Sequence, residues 1–263
     1  MALMRGSPVL TDARFGKAAR ETSGVSTTTF TVGGAVTATA VLGVLLFASA
    51  VVGWMSVKEF QPYTNPYTGE TTNPIGGIPF WVFGAAIAGI VFLVITFWKP
   101  AVAMITGPLY ALSYGALVGA ISHVYNASYD GIVTQALFAT TSIFTVMLLL
   151  YVTRIIKVTN RFVMVVAGAT AGIFLMYMAA WLVSLFGVRV SFLYDASLLA
   201  IGISLFIIVV GALNLAIDFA FIEKAALHRV PKRLEWLAAV GVIVTLVWIY
   251  LEVLRLLGML NRR

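Results

Sequence analysis

From Thr31 onward the chain is a succession of seven long apolar stretches, and only three formally charged residues lie well inside them. They are Asp218 in the sixth stretch and Glu252 with Arg255 in the seventh. About 20 apolar residues suffice for a helix to cross a hydrocarbon core. A charge at the middle of such a helix costs at least ~2.5 kcal/mol unless it is paired or hydrated. The chain is therefore read as an all-α membrane protein, a bundle of seven transmembrane helices. Its intramembrane charges are either functional or part of a buried polar cluster.

Composition agrees. The 263 residues are 61% hydrophobic and 10% charged, whereas soluble domains carry about 25% charged residues. Mean hydropathy is +1.00. Residues 1–30 form a polar tail of mixed charge, with no short apolar core of a cleaved signal peptide. Residues 31–258 form one seven-span membrane domain, and 259–263 a short basic tail. The spans are read at about 31–55, 79–98, 101–124, 131–152, 162–186, 197–222 and 234–258. The first loop is rich in turn formers, Pro62, Pro66, Pro74 and Pro79 with Gly69, Gly76 and Gly77, so it is not helical throughout. Lys99-Pro100 makes a tight turn into the third span.

The formal charge of +7 does not point to nucleic acid, because the basic residues gather at span ends. Twelve of the 17 lie on one side: Arg5, Arg14, Lys17, Arg20, Lys99, Arg154, Lys157, Arg161, Lys224, Arg229, Lys232 and Arg233. Lys58, Arg189, Arg262 and Arg263 lie on the other, with Arg255 just inside the seventh span. The positive-inside rule puts the N-terminus in the cytoplasm. The basic C-terminus then falls outside, a mild violation that leaves open a tilted, broken or re-entrant seventh span.

Soluble-enzyme constellations are missing, and no enzymatic activity or cofactor is expected. Cysteine is absent, which removes disulfides, thiolate nucleophiles and cysteine metal sites. His123 and His228 are placed at span ends or in a loop, and no glycine-rich phosphate loop is present. Asn126-Ala-Ser128 matches a glycosylation acceptor, a pattern common by chance. Trp54, Trp81, Trp98, Trp181 and Trp236 lie near span ends, as an interfacial aromatic belt requires. Gly115-Ala-Leu-Val-Gly119 and Gly168-Ala-Thr-Ala-Gly172 are small-xxx-small patterns, read as ordinary helix packing. Pro108 removes a helix hydrogen bond in the third span and is expected to kink it.

The carboxylates carry the functional signal. Asp218 sits about one turn inside the cytoplasmic end of the sixth span. Burial disfavours a charged carboxyl, so such a group can titrate near neutral pH. The bland alternative is that it reaches the interface or bonds to a neighbouring helix. Glu223 and Glu235 are assigned to the solvated loop. Glu252 and Arg255 are three apart on one helix face, so a local ion pair is the default, although they are deep enough to line a cavity.

The C-terminal third resembles the Bax inhibitor-1 family, in particular its bacterial YccA-like subgroup. The resemblance rests on Ile217-Asp218-Phe219 with Ile222-Glu223, on Val230-Pro231-Lys232-Arg233, and on the run from Trp248 through Glu252 and Arg255 to Gly258. Gly6-Ser-Pro8-Val-Leu10 and Thr31-Val-Gly33-Gly extend it over nearly the whole chain. It implies a central last helix and residence in a bacterial inner membrane. It also implies a pair of aspartates, on spans six and seven, forming a pH-responsive latch over a calcium leak path. Asp218 matches the first aspartate and is the one candidate for weak calcium contact. The second falls at Thr245, which cannot ionise. Glu252 lies seven residues later, about 10 Å along the axis. Either Glu252 substitutes through a rearranged site, or the two-acid latch is absent.

Two functions remain open. One is a pH-sensitive calcium or cation leak channel, with Asp218, Thr245, Glu252 and Arg255 as its ion path or pH sensor and protons or calcium as its ligands. The other is a non-conducting regulator of a membrane protease or of stress survival, acting within the lipid bilayer through helix contacts. Besides those residues, spans six and seven offer only Ser204, Asn214, Trp248 and Tyr250 as polar or amphipathic groups, a thin inventory for a polar path.

Overall fold

A computed structural model describes residues 29–58, 63–64, 71–72, 77–187 and 195–262. Among them are seven helices long and apolar enough to cross a membrane. They are α1 (Val32–Ser56), α2 (Phe80–Trp98), α3 (Ala103–Ser128), α4 (Ile132–Val152), α5 (Asn160–Leu185), α6 (Leu198–Leu227) and α7 (Leu234–Asn261). This is a multi-pass membrane protein. Most of the tail at residues 1–30, the leader motif at residues 6–10, and Arg189 and Arg263 lie outside the described residues.

Local chemistry sets the helix boundaries. Thr31, Thr159 and Ser197 are N-caps whose hydroxyls accept from the backbone N–H groups of Gly34, Phe162 and Ala200. Such caps satisfy donors that a helix start leaves open. A 3₁₀ turn at Pro100–Val102 links α2 to α3, where the Lys99-Pro100 turn is expected. Gly131, at φ 75°, occupies the left-handed conformation that separates α3 from α4. Helix α6 ends where Val230 N–H bonds the Ala225 carbonyl and Arg229 N–H bonds that of Ala226. With Arg229 at φ 49°, this is a Schellman motif, and Pro231 follows.

Helix α7 is the buried axis of the bundle. Its most apolar stretch is 78% buried, against 17–44% for the other six helices. It packs against α1, α3, α4 and α6. It is also unbroken over 28 residues, about 42 Å at the usual rise. The basic C-terminus therefore reflects neither a break nor re-entry in the seventh span.

The two glycine patterns behave differently. A Cβ on Gly115 or Gly119 would strike the backbone carbonyls of Leu46 or Ala50 on α1, and one on Gly53 would strike that of Ala116 on α3. These glycines let α1 and α3 approach backbone to backbone. Gly168 and Gly172 meet nothing within 4 Å. The packing expected of that second pattern is absent within the described residues, because α5 turns this face outward. Asn126-Ala-Ser128 falls in the last turn of α3 rather than in a loop.

Candidate functional site

The one wholly intramembrane acid on α6, Asp218, is buried and faces α7. Thr245 donates its hydroxyl to Asp218 Oδ2 at 2.8 Å, while its oxygen lies 3.1 Å from the Gly241 carbonyl one turn back. Gly241 opens the space beside the other oxygen, since a Cβ there would lie 3.6 Å from Oδ1. Among the described residues no Lys, Arg or His forms an ion pair with Asp218. The antiparallel α6–α7 hairpin brings positions 218 and 245 together at similar depth.

Glu252 does not join them. Its carboxylate accepts from Ser204 of α6 at 2.5 Å and from Tyr177 of α5 at 2.9 Å. It also pairs with Arg255 Nη2 at 2.5 Å and Nε at 3.2 Å. The guanidinium stands 5.5 Å from the Tyr177 ring centroid, a cation–π distance. The local ion pair read from the i, i+3 spacing is therefore real, and two further helices complete its hydrogen bonding. Between the two clusters, Ile249 packs into the space that Gly211 leaves without a side chain, and buried apolar residues separate the acids. The remaining polar groups are spent locally. Asn214 donates to Thr170 at 2.8 Å, and Ser122 and Tyr250 hydroxyls lie 2.6 Å apart.

Two assignments to solvent are corrected. Glu235 is only 3% exposed and accepts from Thr31 N–H at 2.9 Å and from its hydroxyl at 3.0 Å. The chain before α1 docks on the α6–α7 turn, with Phe30 N–H on the Val230 carbonyl at 2.8 Å, and that contact encloses the carboxylate. Glu223 is held by Arg154 and by the Tyr151 hydroxyl, so it belongs to a part-buried contact between α4 and α6. His123 does lie near the C-terminal end of α3, but inside the helix. It is buried in α3 with its ring 4.8 Å from that of Trp54, edge to face. Tyr177 is the partner that sequence reasoning missed. A tyrosine in mid-span, away from the aromatic belt, needs a hydroxyl partner, and that signal was available.

The sequence profile of the family described as Bax inhibitor 1 like matches residues 7–262. The chain belongs to that family. No curated protein and no solved structure matches it. In this chain the partner of Asp218 is a neutral hydroxyl, that of Thr245.

Proposed function

We propose that the protein is a proton-sensitive cation leak, with calcium as the leading ion and the Asp218–Thr245 contact as its closure. The observation that carries this reading is the buried Asp218 carboxyl, held by one neutral donor and no cation among the described residues. A charge in such a place is costly unless water reaches it. Loss of the proton therefore favours a hydrated, parted α6–α7 contact, and the leak rises with pH. On this reading the described arrangement, with its apolar layer at Ile249, is the closed one. Glu252 and Arg255 stand on the far side of that layer, as a fixed polar anchor. On this reading the protein is not an enzyme. It sits in a bacterial inner membrane with its N-terminus in the cytoplasm, as a YccA-like member of its family.

A second reading is supported by the outward face of α5. Gly168 and Gly172 present a small-residue surface with nothing within 4 Å, suited to another membrane helix. A non-conducting regulator of a membrane protease, or of stress survival, would act through such a contact.

Calcium flux into liposomes containing the purified protein, at two pH values, decides between them. Flux that grows with pH supports the leak. Absence of calcium or other cation flux at every pH sinks it, and crosslinking from α5 in the native membrane then becomes the next measurement.

A further inference from the structure

Helices α6 and α7 can part at Asp218 and Thr245 only by bending about the short turn that joins them. That turn, residues 228–233, carries Arg229 in the left-handed region at φ 49°. Asp218 stands about 14 Å from the end of α6 at Leu227, and Thr245 about 17 Å from the start of α7 at Leu234. A swing of about 11° at the turn moves a point ~15 Å away by the width of a water molecule, about 2.8 Å. Whatever fixes the turn therefore helps to fix the Asp218–Thr245 contact.

Three residues from outside the hairpin grip it. Thr29 forms an antiparallel bridge with Pro231, and Phe30 N–H donates to the Val230 carbonyl at 2.8 Å. Thr31 gives its N–H and its hydroxyl to Glu235 in the first turn of α7. The grip thus spans the turn from its α6 side to its α7 side. Thr29 and Thr31 lie exposed on the surface, whereas the Phe30 side chain is driven inward and is only 2% exposed. It joins one apolar cluster with Ile222 and Ala225 of α6 and Leu234, Leu237 and Val242 of α7. Ile222 is one turn beyond Asp218, and Val242 is three residues before Thr245, spacings that share a helix face. The cluster therefore reaches the layer beside the contact.

We propose that residues 29–31 are a strap that holds the α6–α7 hairpin shut, with Phe30 as its peg, and that lifting the strap frees Asp218 from Thr245. The proposal rests on that contact being the closure of the leak and adds what controls it. An exposed strap with a single buried peg can lift while the seven helices keep their packing. Stability is not uniform across a fold, and such a surface segment opens before the core does.

The test uses the full chain in liposomes, treated with a water-soluble carbodiimide and an amine and then mapped by peptide mass. Glu235 reports the strap, and Asp218 reports the contact more than one helix turn deeper. Both are buried and should be protected in the unaltered protein. Phe30→Ala should raise the labelling of both about tenfold or more, and Phe30→Leu, which keeps an apolar peg, should raise neither more than about twofold. Labelling of Glu235 with Asp218 still protected would overturn the proposal, since the strap would then have no hold on the contact. So would protection of both acids in Phe30→Ala.

A tether separates release of the strap from loss of fold. Opposed residues of an antiparallel bridge have Cα atoms about 4.5–5.5 Å apart, within reach of a disulfide. Thr29→Cys with Pro231→Cys, oxidised in the Phe30→Ala chain, should restore protection of both acids, and reduction should remove it. A closed tether that leaves Asp218 labelled also overturns the proposal. Calcium flux is read from the same liposomes. If labelling follows the strap but no form of the protein conducts, the leak reading fails while the coupling between strap and contact stands.

Discussion

Gly34 and Glu235 compete for one space: a Cβ on Gly34 would fall on the Glu235 carboxyl group. That carboxyl holds both the N–H and the hydroxyl of Thr31, the N-cap of α1. Negative charge at a helix start is favoured by the helix dipole. The first turn of α7 thus completes the cap of α1 across 204 residues of sequence. The adjoining residues meet the same turn, with Phe30 N–H on the Val230 carbonyl.

Glu235→Ala should therefore destabilise the protein by about 0.5–2 kcal/mol, because it removes the buried carboxylate that completes the α1 cap. Gly34→Ala should act in the same direction by displacing the carboxylate. Glu223→Gln disturbs a contact whose arginine is largely exposed, and should cost no more than about 1 kcal/mol. Thermal unfolding in detergent orders the three. Equal losses for Glu235→Ala and Glu223→Gln would count against the buried cap.

The glycine patterns make a second contrast. Gly119→Ala places a methyl against the Ala50 carbonyl and should cost about 1–3 kcal/mol through overpacking. Gly172→Ala meets open space and should be neutral or mildly stabilising, since glycine disfavours helix by about 1 kcal/mol. A comparison of midpoints of unfolding in the same detergent checks both.

Asp218→Asn should flatten the pH response of cation flux between about pH 6 and 8, where a buried carboxyl can titrate. The amide mimics the protonated group, so flux should stay at the low-pH level as pH rises. Thr245→Asp places a second acid opposite the first, and two carboxyls sharing one site separate in their titration. The response should then spread over a wider pH range. A pH profile that Asp218→Asn does not alter would remove Asp218 as the sensor.

Glu252→Gln should leave the pH profile of flux intact and lower stability instead. It removes the negative charge that faces the Arg255 guanidinium, and breaking a buried pair from one side costs about 3–5 kcal/mol. Loss of pH dependence with normal stability would show that Glu252 is a titrating acid after all.

Topology is open to direct labelling, because the chain has no cysteine. In intact cells an impermeant thiol reagent should modify Thr64→Cys and spare Lys157→Cys and Arg229→Cys. Labelling at position 229 but not at 64 would invert the orientation.

Seven helices, their ends within a few residues, and the Lys99-Pro100 turn follow from local facts, while the family resemblance marked Thr245 as the position opposite Asp218. Apolar run length sets a span in lipid, and antiparallel geometry sets depth from distance to the turn. The same sequence also marked Asp218, Glu252 and Arg255, since charge inside an apolar run is conspicuous. Only the tertiary structure decided the side-chain partners. Glu235 looks like a loop acid until the segment before α1 folds over it, and Glu252 meets Ser204 and Tyr177 rather than Asp218 because it stands two turns of α7 beyond Thr245. The two glycine patterns are equivalent as strings, yet one is buried against α1 and the other faces outward. Helix formation in lipid depends on each segment's own composition, whereas which face meets which neighbour is a property of the whole bundle.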